Sequence, residues 1–207
     1  DDEQAAREGL YRRYAAVVGN PPYITVKDKV LRERYREMYP SASGKYSVAV
    51  PFTERFFQLA REGGAVGMIT ANSFMKREFG KKLIEEYLPT VNLDRIGNTS
   101  GAYIPGHGTP TVLLFGTAEP PLDDHVLAVL AKRGEPTTPE DAEQGYVWRS
   151  IAEHGEEVGY DDEYVTVARV ERVSLTSHPW SLAGGGAGEL KQLLESRAAG
   201  TLGAVAT

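Results

Sequence analysis

The sequence predicts an α/β fold, in which short apolar strands alternate with amphipathic helices. Four apolar runs have the length of buried strands, and polar segments with helical periodicity lie between them. These runs cover residues 14–18, 65–70, 91–97 and 111–115. Polar residues directly follow the first two runs, as is typical of the carboxyl edge of a parallel sheet, where α/β proteins keep their sites. We therefore look for a functional site at that edge.

The first apolar run ends in Asn20-Pro21-Pro22-Tyr23. Two consecutive prolines permit neither a continuing strand ladder nor a helix, so the chain must leave the sheet at Asn20. Pro22 has no N–H, and a residue before proline is extended, so the carbonyls of Asn20 and Pro21 have few local donors. An amide oxygen beside a carbonyl suits one NH2 group, and Tyr23 offers a face for a planar ring. The residues predict a site for the exocyclic amine of an aromatic base, although the same residues also form simple turns.

Asn-Pro-Pro-Tyr after an apolar strand resembles the signature of amino-group methyltransferases that use S-adenosylmethionine, above all the DNA adenine-N6 enzymes. The resemblance implies that the Asn20 side chain and the Pro21 carbonyl hold the amine of a flipped-out adenine, and that Tyr23 stacks on it. Asn20, Pro21 and Tyr23 would thus be catalytic. Pro22 would bind substrate, and Asn20 would also contact the cofactor.

Further blocks along nearly the whole chain sharpen the resemblance to the PglX-type adenine methyltransferases of bacterial phage-exclusion systems (BREX, or phage growth limitation). The resemblance implies the C-terminal half of a Rossmann-like, S-adenosylmethionine-dependent methyltransferase fold, a mixed sheet with a final antiparallel hairpin, plus an α+β extension. It also implies a large parent enzyme of the type IIG kind. The blocks are NPPYITVKDK, GKYSVAVPFTERFF, ITANSFMKREFGKKLIE, TSGAYIPGHGTPTVLLFG, KRGEP and HPWSL.

Four more residues are predicted to bind substrate: Lys45, Asn72, Tyr103 and His107. Asn72 follows the second apolar run, in an Asn-Ser-Phe loop similar to that of type IIG enzymes. Tyr103 and His107 lie in a glycine-containing loop at residues 98–110, which lacks the Lys-Ser/Thr ending of a phosphate-binding loop. We expect this loop to close over a base or its backbone, with a plain linker as the alternative.

The intervening segments predict helices at residues 24–40, from residue 47 to a stop at Gly63-Gly64, and at residues 76–88, where the helix is basic and amphipathic. In the acid-rich second half, residues 123–132 are predicted to form a short helix and residues 165–173 a strand. Residues 189–198 are predicted to form a helix after a run of glycines.

Composition excludes several classes of function. The content of 41% apolar and 25% charged residues is that of a soluble globular protein. The sequence has no run near the roughly 20 apolar residues of a membrane span, and its acidic start is unlike a signal peptide, so we expect a cytoplasmic protein without a membrane partner. Zero cysteines exclude disulfides and a cysteine nucleophile. The four histidines lack metal-ligand spacing, so no metal site is expected.

The net charge of −6 is unevenly distributed. Residues 20–116 hold 13 basic and 9 acidic side chains, whereas residues 117–207 hold 7 and 16. Because phosphate contacts are made largely by Lys and Arg, the first part fits a nucleic-acid-facing edge. Solvated helix faces would have the same composition.

We therefore predict three parts: a catalytic half at residues 1–118, with strands four to seven of the family's sheet, an acidic extension at 119–183, and a glycine-rich joint with a linker helix at 184–207. The linker would lead to a target-recognition domain. A glycine-rich cofactor-binding turn is absent before Asn20, so we expect the cofactor half to lie outside the fragment and the fragment alone to be inactive.

The predicted function is site-specific DNA adenine-N6 methylation in bacterial phage defence. The partners would be S-adenosylmethionine, double-stranded DNA with a flipped adenine, and other phage-defence components. The acceptor pair would equally suit a protein glutamine or an RNA guanine, so these substrates are alternatives. A non-catalytic DNA-binding or regulatory module is a third reading.

Overall fold

A computed structural model describes residues 2–106 and 108–186, together with residues 193, 194 and 197. Within these residues the chain forms four α-helices and six β-strands. The helices are α1 (Asp2–Tyr11), α2 (Lys29–Met38), α3 (Ala49–Leu59) and α4 (Tyr146–His154). The strands are β1 (Tyr14–Gly19), β2 (Ala60–Ala71), β3 (Asn92–Asn98), β4 (Thr111–Thr117), β5 (His125–Ala131) and β6 (Val165–Glu171).

The six strands form one mixed sheet in the order β1-β2-β4-β3-β5-β6. β1 is parallel to β2, β4 is antiparallel to both β2 and β3, β3 is parallel to β5, and β5 is antiparallel to β6. β1, β2, β3 and β5 therefore run in the same direction and end at one edge of the sheet, which we call the site edge. The mixed sheet and the β3–β4 hairpin confirm the predicted α/β fold class.

Each face of the sheet has its own hydrophobic core. On one face, Met68, Ile96 and Leu114 pack with Val50 and Phe57 of α3, and all five side chains are buried. On the other face, α4 contributes Ile151 to a smaller cluster over β5 and β6, formed by Val129, Val165 and Val167. The alternation of buried and more exposed residues along β6 follows from the period of two in a strand, and it confirms the strand predicted there.

β1 was predicted to be buried, and this is wrong. Its residues are mostly exposed, and Val18 keeps 79% of its surface accessible. Among the described residues β1 pairs only with β2. Its second edge and the face that carries Val18 therefore lie open.

The helix predicted at residues 123–132 is also wrong, because this segment contains strand β5. The run from Val126 to Ala131 is apolar at nearly every position, so its periodicity suits a buried strand as well as a buried helix. Pairing decides the outcome: β5 is hydrogen-bonded to β3 on one side and to β6 on the other. The acidic extension thus continues the same sheet.

Helix α3 ends at Leu59, before the predicted stop at Gly63-Gly64, and both glycines lie in β2. Between the pairs Tyr14↔Ala60 and Ala16↔Ala65 the register shifts, so β2 bulges here. Gly63 has a φ of +65°, which L side chains rarely adopt. A Cβ on Gly64 would lie 2.8 Å from the Tyr14 carbonyl oxygen.

The segment predicted as one basic helix at residues 76–88 is broken into short turns. Two 3₁₀ turns (Asn72–Met75 and Glu78–Gly80) precede a π-helical segment (Leu83–Tyr87). At Gly80 the backbone lies so close to the Phe74 carbonyl that a Cβ would sit 1.9 Å from the oxygen. This contact with the preceding turn prevents a continuous helix.

The helix predicted at residues 189–198 lies largely outside the described residues. Within the part of the chain that is described, no helix combines the length and apolar character needed to cross a membrane.

Candidate active site at the carboxyl edge of the sheet

The Asn20-Pro21-Pro22-Tyr23 segment begins where β1 ends, at the site edge. Asn20 and Pro22 are exposed, Pro21 is buried and Tyr23 is half-buried. Burial raises the pKa of the Tyr23 phenol above its ordinary value of 10.0, so the ring is uncharged at neutral pH. The segment thus combines an accessible amide with a partly sheltered neutral ring.

The chain after this segment is fixed to the loop before α3. The Val48 N–H donates to the Ile24 carbonyl at 2.8 Å, and Thr25 forms an antiparallel bridge with Ser47. Such pairing limits the positions that Tyr23, one residue earlier, can adopt.

Phe56 of α3 supports the segment from its other end, at Gly19. A Cβ on Gly19 would lie 2.8 Å from a carbon of the Phe56 ring, and this ring also meets Phe52 edge-on with centroids 6.0 Å apart. A side chain at residue 19 would therefore push against this aromatic pair, one residue before Asn20.

For the methyl transfer that the resemblance implies, we expect Gly19→Ala to slow the reaction of the full-length protein by about 10-fold. The Cβ would displace Asn20, and small misplacements in active sites cost up to about 10²-fold. Steady-state kinetics on Gly19→Ala, Phe56→Leu and the double variant would measure this. The smaller leucine side chain should restore part of the rate in the double variant. Equal rates for Gly19→Ala and the double variant would show that the ring contact does not position Asn20.

Asn72 begins the turn that follows β2, at the same edge. β2 extends past β1 here, since Gly19 pairs with Met68 while β2 ends at Ala71. Asn72 is half-buried, and its main-chain N–H donates to the Pro110 carbonyl at 3.0 Å. This bond ties the turn after β2 to the end of the loop that precedes β4.

That loop, residues 99–110, joins β3 to β4 and lies at the site edge because β3 ends there. Residues of the acidic extension (119–183) hydrogen-bond to this loop. The Glu135 N–H donates to the Gly101 carbonyl at 3.0 Å, and Trp148 Nε1 of α4 donates to the Tyr103 carbonyl at 2.9 Å. A Cβ on Gly101 would lie 2.8 Å from the Arg133 carbonyl oxygen, so the two segments touch through their backbones.

The site edge therefore holds three of the predicted segments: the one with Asn20, the turn with Asn72 and the loop with Tyr103. Tyr103 is half-buried, and Lys45 is exposed in the loop before α3. His107 lies outside the described residues. The roles of all these residues in binding or catalysis stay predictions.

Two tryptophans support this edge of the sheet, and the residue patterns predicted neither of them as a site residue. Trp148 holds the 99–110 loop, and Trp180 holds the turn after β2. Trp180 is 2% exposed, its main-chain N–H donates to the Met75 carbonyl at 2.8 Å, and its ring meets Phe74 edge-on at 5.9 Å. Trp180 lies in the HPWSL block, one of the blocks that carry the resemblance, whereas no pattern singled out Trp148.

Comparison with known proteins confirms the predicted resemblance. Residues 4–102 match the family described as the Eco57I restriction-modification methylase. The chain is 52% identical over 195 residues to the adenine-specific methyltransferase PglX of Streptomyces coelicolor, a match that covers 87% of this chain and 16% of that protein. It is also 34% identical over 74 residues to the type II methyltransferase M.BstVI of Geobacillus stearothermophilus, covering 34% of this chain and 13% of that protein.

The same fold occurs in the type IIG restriction endonuclease BpuSI. Its crystal structure covers 88% of this chain with a TM-score of 0.59 at 15% identity, and the match spans 22% of that protein. The chain thus spans about a sixth of the PglX relative and less than a quarter of BpuSI.

Proposed function

We propose that the protein containing this chain is a site-specific DNA adenine-N6 methyltransferase, and that this chain holds and orients the adenine amine. The observation that carries the proposal is the position of Asn20-Pro21-Pro22-Tyr23. The segment follows a strand at the carboxyl edge of the sheet, with an exposed Asn20 and a half-buried Tyr23. The high identity to PglX, described as an adenine-specific methyltransferase, supports adenine as the base.

The chemistry follows from the hydrogen-bonding groups of the segment. The Asn20 Oδ1 atom and the Pro21 carbonyl each accept one N–H of the adenine amine, and the Tyr23 ring stacks on the flipped base. Two fixed acceptors orient the nitrogen and stabilise the positive charge that develops on it during transfer. The same two acceptors would hold the nitrogen towards the methyl group that S-adenosylmethionine would supply when bound, and the proton that the nitrogen loses would leave to water. Orientation supplies much of the rate, because effective molarities of aligned groups reach about 10⁵–10⁸ M.

S-adenosylmethionine supplies an electrophilic sulfonium methyl group when it is bound. The described residues fit a site for its methyl end, because the exposed Asn20 follows directly after the carboxyl end of β1, where open α/β sheets hold their ligands. Asn20 is the residue of this chain that we expect to contact the cofactor. Its neighbours Pro21 and Tyr23 would serve the base.

The remaining predicted residues would bind the DNA around the flipped adenine. Asn72 and Tyr103 lie on segments tied to each other through Pro110 and to the extension through Trp148. The substrate would be double-stranded DNA, and the protein would act in phage defence, in the cytoplasm, together with other components of such a system. The identity to PglX supports the adenine-specific activity.

Transfer of a labelled methyl group by the full-length protein tests the proposal. Duplex DNA, structured RNA and a glutamine-containing release factor should be offered in parallel, because the two acceptors would suit an amine of any of them. We expect label on DNA alone. If RNA or protein became labelled and DNA did not, the protein would be a methyltransferase of that other substrate class. If none of the three became labelled, the protein would be a binding module.

A further inference from the structure

A cleft of about 550 Å³ opens between the loop before α3 and the broken helical segment after β2. The cleft is open to solvent rather than enclosed. Basic side chains outnumber acidic ones on its walls, with Lys45, Arg77, Lys81 and Lys82 against Glu78 and Glu86.

Among the described residues the four basic side chains have no partner. All four residues are exposed, and within residues 2–106 and 108–186 none of their side chains forms a hydrogen bond or salt bridge. The surrounding chain does pair its charges elsewhere, for example Arg36 with Glu33 at 2.6 Å. Uncompensated positive charge gathered in a concave surface focuses the field on an anion.

Both walls of the cleft are held by contacts within the protein. On the first wall Tyr46 is fully buried and donates to the Arg32 carbonyl at 2.8 Å, while Arg36 donates to the Gly44 carbonyl. On the second wall Gly80 packs directly against the Phe74 carbonyl. The cleft is therefore formed before a ligand arrives, which reduces the entropy lost on binding.

The two walls of the cleft are continuous along the chain with segments of the candidate active site. Lys45 is two residues before Ser47, which bridges to Thr25 just beyond the Asn20 segment. Arg77 is five residues after Asn72, and its main-chain N–H donates to the Ser73 carbonyl at 3.0 Å in the turn after β2. One wall is thus connected to the segment with Asn20, and the other wall continues the turn with Asn72, and both of these lie at the site edge.

We propose that this cleft binds the sugar-phosphate backbone of the DNA strand whose adenine reaches Asn20, with the basic side chains contacting consecutive phosphates. This inference rests on the proposed function. A polyanion with regularly spaced charges fits a cleft in which the positive charge is spread over both walls, whereas a single small anion would need the donors to converge on one point. Phosphate contacts of this kind position the DNA and carry no sequence information.

The test measures how binding of a fluorescein-labelled duplex by the full-length protein depends on salt. Each phosphate contact contributes about 0.9 to the slope of log K against log salt. We expect Lys81→Gln/Lys82→Gln to lower the slope by about 1.8 and to weaken binding at 100 mM salt by about 10-fold or more. The single Lys81→Gln change should give about half of the slope effect, and Lys81→Arg/Lys82→Arg should keep the wild-type slope.

Arg61→Gln is the matched control, because Arg61 is an exposed cation at the opposite end of β2. We expect it to leave the slope unchanged. If the double glutamine variant kept the wild-type slope, or lost no more than Arg61→Gln, the inference would be overturned.

Methyl transfer is measured separately on the same proteins. If the wild-type protein methylates adenine but the double glutamine variant keeps the wild-type salt slope, the proposed function holds and the DNA-binding role of the cleft is contradicted. Conversely, the double glutamine variant could show the lowered slope while the wild-type protein transfers no methyl group. That result would support DNA binding by the cleft and contradict the proposed function.

Discussion

Replacing Asn20 with alanine should lower the rate of methyl transfer by about 10²–10³-fold in the full-length protein, the range seen when one preorganised group that stabilises transition-state charge is removed. Asn20 is exposed, so the change removes an acceptor and no core volume. We expect DNA affinity and melting temperature to stay near wild-type values. Single-turnover kinetics with saturating DNA would report the chemical step without product release.

Asn20→Asp is the matched control for this prediction. The aspartate has nearly the same size and keeps an oxygen that accepts the amine N–H. We expect it to retain more activity than the alanine variant. If Asn20→Ala transferred methyl groups at a near-normal rate, the assignment of the acceptor would fail. If it lost activity together with its fold, the residue would be structural.

Replacing Trp180 with alanine should produce a large loss of local stability around the turn after β2. The ring is buried against Phe74, Nε1 donates to the Leu175 carbonyl at 2.9 Å, and the segment holds the turn that begins with Asn72. A buried Trp→Ala change typically costs about 3–5 kcal/mol. We expect the amides of residues 72–76 to exchange much faster with deuterium in the full-length protein, and the methyl-transfer rate to fall with them.

Trp180→Phe separates ring packing from the hydrogen bond. It keeps an aromatic ring beside Phe74, but it loses the Nε1 donor, which is worth about 0.5–1.5 kcal/mol, and part of the volume of the indole. Its exchange rates should therefore lie between wild type and Trp180→Ala. If the amides of residues 72–76 exchanged as slowly in the alanine variant as in wild type, the segment that contains Trp180 would not support the site edge.

Local patterns predicted the parts of the fold whose determinants are local. The two prolines after Asn20 force the end of β1 whatever surrounds them, and the alternating valines of β6 leave only a strand. The positions of Asn20 and Asn72 at one edge followed from the rule that sites gather at strand carboxyl ends, and the parallel pairing of β1 with β2 brings those ends together.

Long-range contacts decided what the sequence left open. β5 is a strand because β3 and β6 flank it, although its apolar run would equally suit a helix. β1 is apolar yet exposed because burial depends on what covers a strand, which its own residues do not encode. The hydrogen bond from Trp148 to Tyr103 joins residues 45 positions apart, so no spacing along the chain points to it.

The central claim is that Asn20 and Pro21 orient the amine of adenine for methylation. Mass spectrometry of nucleosides from the DNA of cells that carry the full-length gene, with Asn20→Ala as the comparison, tests it most directly. The account predicts N6-methyladenine with the wild-type gene and its loss with the variant. N4-methylcytosine in its place, or N6-methyladenine at equal levels in both, would contradict the account.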